Sequence, residues 1–147
     1  MKEVQLSKVE LVNAQGENYV TISQHTFYTL AKWHGHITAD EVIKAAKVFL
    51  EFIEEHPCSK LLNDKSEVTG DWQDANDWLE FDWLPAVYKA GLRCLAHIYS
   101  HSMFSQLSAR DLRGRMVPPF LMKNFMDFET AEKWLLSCNP KNYNMPA

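Results

Sequence analysis

The stretch from Leu61 to Ser100, LLNDKSEVTGDWQDANDWLEFDWLPAVYKAGLRCLAHIYS, constrains the fold of this chain more than any other. It reads as strand, acidic tryptophan-rich turn and helix, then strand. Lys60 to Asp64 forms the short first strand. Leu92 to Tyr99 is almost continuously apolar, which suits a strand covered on both faces, as in a parallel sheet. Parallel strands need a crossover of a dozen residues or more, usually a helix. Asp71 is placed to cap a helix starting at Trp72, with Asp74 favourable in its first turn. Pro85 in mid-helix would cost about 3 kcal/mol. A break near Glu80 to Asp82, with Asp82 capping a second helix, would put Pro85 in a first turn, where amides lack intrahelical partners. Gly91 then ends that helix.

The flanks extend this pattern. Val4, Leu6, Val9 and Leu11 suit a strand over 4–12. Gln15-Gly16-Glu17-Asn18 signals a turn, and 19–23 is rich in β-formers, so a hairpin is expected. A third strand is expected over 27–34. Thr38 and Glu41 then form a capping box, and Val42, Ala46, Phe49 and Ile53 recur at helical spacing until Pro57 stops them. Beyond the central stretch, 104–112 is a weaker amphipathic helix and 120–126 a strand. Asp127 caps a last helix, whose Phe128, Ala131, Trp134 and Leu135 share a face. Strand and helix thus alternate, which predicts an α/β fold. Its mixed sheet would have an antiparallel N-terminal extension, βαβ crossovers and about four helices. The domain is expected over 1–138, with 139–147 a loosely ordered tail.

With 147 residues the chain is long enough for one substantial core. Its net charge of -4 does not favour nucleic acid. No apolar run approaches a membrane span, and MKEVQLSKVELV lacks the apolar core of a secretion signal. Cys58, Cys94 and Cys138 are odd in number and lack metal-type spacing, so reduced thiols in a cytoplasm are the simplest reading. Nothing in the sequence asks for a cofactor.

Several motifs resemble the STAS-like fold of anti-sigma-factor antagonists, and more narrowly its small uncharacterised bacterial branch. They are Trp33-His34-Gly35-His36-Ile37-Thr38, Leu61-Leu62-Asn63-Asp64, Gly70-Asp71-Trp72, Ala90-Gly91-Leu92-Arg93, and Phe125 through Trp134-Leu135. The resemblance implies a non-enzymatic regulatory or protein-interaction module. Some relatives are phospho-switches whose serine follows a strand and starts the next helix. The matching region here is Asp64-Lys65-Ser66, with Thr69 close behind, and the residues over 65–70 read as a loop that carries both hydroxyls. The family's own aspartate, small hydroxyls and glycine are not reproduced there as a unit. The surrounding acids would also oppose a phosphate. Related architectures hold apolar ligands or lipids between helix and sheet, which is the alternative function.

The candidate surface for a ligand, a protein partner or a second copy of the chain comprises Asp64, Trp72, Trp78, Phe81, Trp83, His101 and Met103. Trp78, Phe81 and Leu84 sit at helical spacing, which core packing explains as readily as a recognition face. His34 and His36 are weak metal candidates, because two histidines need a third ligand such as His97 or His101. The acidic residues of 64–82 read as a solvated face. Ser100-His101-Ser102 lacks the glycine frame of a nucleophile elbow, so no catalytic residue is assigned. Arg110, Arg113 and Arg115 complement that acidic stretch in sign, which suits an acidic partner or a second copy.

Overall fold

The computed structural model of the chain describes residues 7–139. Among these, six strands form one sheet in the order β1 to β6. β1 (Lys8–Val12), β2 (Asn18–Gln24) and β3 (Thr29–His36) pair antiparallel. β3, β4 (Lys60–Thr69), β5 (Cys94–Ile98) and β6 (Leu121–Phe125) pair parallel. This is the mixed α/β sheet expected, with its antiparallel N-terminal edge. Val4 and Leu6 lie outside the described residues.

Each parallel strand is added on the same side of the one before it. Right-handed crossovers then put every connecting helix on one face of the sheet. α1 (Ala39–Glu55), the irregular helical segment over 73–89 and α4 (Met103–Gly114) do share one face and one core, with Trp33, Leu61, Leu95 and Met122 below them. α5 (Phe128–Ser137) follows the last strand and is free of that rule. It covers the opposite face, over Leu62, Ala96 and Ile98. The Tyr28 hydroxyl also anchors it, donating to Glu132 Oε2 at 2.6 Å.

The capping box forms as read. Thr38 Oγ1 accepts from the Glu41 amide, and Glu41 Oε1 accepts from the Thr38 amide. Asp127 caps α5 through the Thr130 amide. Gly91 takes φ 113° and ends its helix, with the Leu92 amide donating to Val87 O and the Gly91 amide to Tyr88 O. Those two bonds are a Schellman motif.

Four expectations are corrected. First, Asp82 caps no helix and there is no break near Glu80. The segment runs as a 3₁₀ turn (Gln73–Ala75), α2 (Asn76–Trp78), a π turn (Leu79–Trp83) and α3 (Leu84–Lys89). The Leu84 amide reaches back five residues to Leu79 O. That widened turn makes room for Pro85, which has no amide and would crowd the carbonyl four residues back. Second, Asp71 accepts from the Gln73 amide and not from a helix begun at Trp72, because Trp72 is drawn fully into the core. Third, Phe128 is exposed, since the packing face of α5 is set by Ala131 and Leu135. Fourth, Cys94 and Cys138 are joined as a disulfide, which ties the start of β5 to the end of α5, and Cys58 is free. Their separation of 44 residues carries no local signal. The packing of α5 on β5 brings them together.

Candidate functional site

The most distinctive local structure sits where β4 passes β3. Lys32 pairs with Asp64 and His34 with Glu67, so two steps along β3 match three along β4. One extra residue is a β-bulge, and bulges re-aim side chains. Here Lys65 and Ser66 together oppose Trp33. Lys65 drops onto the helix-covered face. Ser66 joins Asp64 and Glu67 around Lys32 on the other side.

This corrects the loop expected over 65–70. β4 continues to Thr69, and the Ile37 amide donating to Thr69 O prolongs the pairing with β3. Gly70 ends the run with φ 113°, packed so closely on the Ile37 backbone that a Cβ would collide with it. Ser66 and Thr69 therefore lie within a strand and not at a helix start. Ser66 is half-buried, and Thr69 is exposed with its Oγ1 3.0 Å from His36 Nδ1.

The polar side of the bulge is a charge cluster. Lys32 Nζ lies 3.1 Å from Asp64 Oδ2, 2.7 Å from Glu67 Oε2 and 3.3 Å from Ser66 Oγ. The Ser66 amide donates to Asp64 Oδ1 at 3.0 Å. Burial pushes the Asp64 carboxyl up, but hydrogen bonds from the Ser66 hydroxyl and amide and from Lys32 outweigh it and hold it below the usual range. Burial pulls the Lys32 amine down, and its bonds to Glu67 and Asp64 more than restore it, leaving it raised.

The dry side is an aromatic cage. Lys65 Nζ lies 3.5 Å from the Trp72 ring centroid and 4.5 Å from that of Trp33. The cage is held by its own hydrogen bonds. Trp72 Nε1 donates to Ser105 Oγ and the Trp72 amide to Ser108 Oγ. Trp33 Nε1 donates to Asn63 Oδ1 at 2.6 Å. That leaves the Asn63 amide nitrogen, a donor only, facing His97 Nδ1 at 3.3 Å. Neutral His97 therefore carries its proton on Nε2, which is buried without a hydrogen-bond partner among the described residues. Burial, and then the nearby Lys65, push the His97 pKa well below its ordinary value.

The predicted surface residues do not come together. Asp64, Trp72 and Trp83 are buried, and Trp83 Nε1 donates to Ala46 O at 2.9 Å. They are core residues and cannot present a face to a partner. Trp78 is half-buried with Lys47 above its ring. Phe81, His101 and Met103 are exposed. Phe81 borders an apolar surface groove of about 310 Å³ that also includes Leu84, Tyr88, Met116, Val117 and Phe120. By contrast, the cavity between α1, the 73–89 segment and the sheet is about 50 Å³.

His34 faces Glu67 at 3.7 Å and His36 faces Thr69. No cluster of three or more metal-ligating side chains occurs among the described residues. Arg115, read as complementing the acidic stretch, meets it within the same chain. It contacts Asp77 at 2.7 Å, Glu80 at 2.9 Å and Asp111 at 2.9 Å. Trp72 and His97 were singled out from sequence in other roles, as a surface residue and a possible metal ligand, whereas Lys65 was not singled out. The available signal was a lysine at an inward position between Asp64 and Ser66 in a strand pattern.

No helix among the described residues is long and apolar enough to cross a membrane. No family model matches the chain, and no curated protein matches it. A solved structure from Shewanella loihica PV-4 is similar, with 18% identity, a TM-score of 0.49, and coverage of 92% of this chain and 98% of that one. It is described as an uncharacterised protein of the DUF3478 family with a SpoIIAA-like fold, the STAS-like group that the sequence motifs resemble.

Proposed function

We propose that the chain is a non-enzymatic module that binds a protein partner through the groove beside Phe81. The carrying observation is the groove itself. It is about 310 Å³ and largely apolar, and Phe81 and Val117 on its borders are about 70% exposed. Exposed aromatic and aliphatic side chains beside a concavity are what recognition surfaces use as anchors. The occupant of this reading is a peptide segment that inserts an apolar side chain between Tyr88 and Val117. The carrier alternative is less favoured, because ligand pockets span roughly 300–1,000 Å³ and the cavity beneath the helices is about 50 Å³.

Regulation by phosphorylation fits Thr69 better than Ser66. Thr69 is exposed, whereas Ser66 lies between Asp64 and Glu67, where a phosphate meets like charge. The groove is tested by selecting peptides from a displayed random library on the full chain and measuring their affinity for wild type and F81D. The expected result is selected peptides with an apolar anchor that bind F81D at least about tenfold more weakly. Selected peptides that bind F81D equally well would overturn the reading.

A further inference from the structure

Lys65 is a nucleophilic side chain that the proposed interaction surface does not use. It is 2% exposed, and its Nζ faces two indole rings in place of a carboxylate. No hydrogen bond or ion pair holds it among the described residues. The cavity of about 50 Å³ adjoins it, with Asn63, Val42, Leu79 and Trp83 among the other lining residues and no carboxylate. An ammonium group here would lose its hydration. A desolvated cation–π contact returns about 2 kcal/mol, whereas burying an ion costs several. Burial therefore holds the Lys65 amine well below the ordinary lysine range. His97, the titratable neighbour on β5, is held neutral by the same surroundings.

We propose that Lys65 is a Schiff-base-forming amine that captures a short, uncharged aldehyde or ketone in this cavity. The nitrogen lone pair attacks the carbonyl carbon, a C–N bond forms, and the carbonyl π electrons move to oxygen. A proton passes from nitrogen to that oxygen, giving a carbinolamine. The hydroxyl then leaves with the remaining N–H proton as water while the C=N bond forms. No oxidant or reductant is involved. Size and polarity define the ligand. A water takes about 30 Å³, so the cavity admits a carbonyl compound of only a few heavy atoms. Its apolar walls disfavour one that carries a charge. The inference does not rest on the groove beside Phe81, and capture without turnover is compatible with a regulatory module.

The test is reductive trapping. The full chain is incubated with acetaldehyde and sodium cyanoborohydride at about pH 6, where ordinary lysines are almost wholly protonated. Hydride delivery fixes any imine as a secondary amine, which peptide mass mapping locates. Lys65 is expected to be alkylated at least about tenfold more than exposed lysines such as Lys89. K65M, shown folded by circular dichroism, is expected to lose that adduct and the accompanying change in tryptophan emission. Alkylation confined to exposed lysines overturns the proposal. So does labelling of Lys65 only after unfolding in urea, or a folded wild type that stays unmodified.

Discussion

Lys32 and Lys65 sit on adjacent strands, separated by one bulge, in opposite electrostatic environments. Lys32 reaches two carboxylates and a hydroxyl at the edge of solvent, and its amine is held in the charged form. Lys65 lies under Trp33 and Trp72 with no counter-charge among the described residues, and its amine is driven toward the neutral form. The two residues are chemically identical. What separates them is which face of the sheet each side chain enters: Lys65 alternates with Leu61 and Asn63 on the helix-covered face, while the extra residue in β4 puts Glu67 with Ser66 on the side of Lys32. A charge in this protein is therefore described by its face before its identity.

Three substitutions break or sharpen the contrast, in decreasing order of effect. Trp72→Ala removes the ring closest to Lys65 from a fully buried position. It is expected to lower unfolding free energy by about 3–5 kcal/mol, read from urea denaturation. Asp64→Ala attacks the other face. It leaves Lys32 with Glu67 as its one remaining carboxylate and strands the Ser66 amide. The expected loss is about 2–3 kcal/mol, less than for a fully buried pair because Lys32 still reaches water. The pH dependence identifies its origin. The Asp64 pKa is depressed on folding, so its stabilisation is present above the ordinary carboxylate value and is lost as pH falls through the folded one. The difference between wild type and D64A should therefore shrink in acid.

Lys65→Met is expected to act in the opposite direction, raising stability by about 1–3 kcal/mol. Here the folded pKa lies below the unfolded one. The unfolded chain binds more protons between the two values, so the contribution of Lys65 to stability rises with pH through that window, up to the ordinary lysine value. The gain in K65M should grow as pH falls from the ordinary lysine value toward the folded one, and fade as pH approaches about 10. A constant gain across that range would show that Lys65 is charged in the fold.

Much of the framework is legible residue by residue. Thr38 and Glu41 make the capping box because both partners lie within one helical turn. Asp127 and Gly91 act for the same local reason. The errors fall where distant packing overrides a local signal. Asp82 looks like a cap, but a π turn already absorbs Pro85. Ser66 and Thr69 look like loop hydroxyls, but pairing with β3 carries β4 through them. Trp72 and Trp83 look like a surface, yet Ser105 and Ala46, tens of residues away in sequence, hold them in the core. Cys94 and Cys138 meet only because α5 covers β5.

The sequence by itself determined the order of elements, the helix boundaries set by caps and glycines, and the parallel character of the buried strands. Each depends on residues within a turn or on hydrophobic periodicity, and such patterns are written along the chain. Only the tertiary structure decided where β4 breaks its alternation and what meets its side chains. One bulge reverses the alternation, and no local rule fixes its register. That reversal brings Glu67 to Lys32, and the packing of the helices lays Trp72 on Lys65.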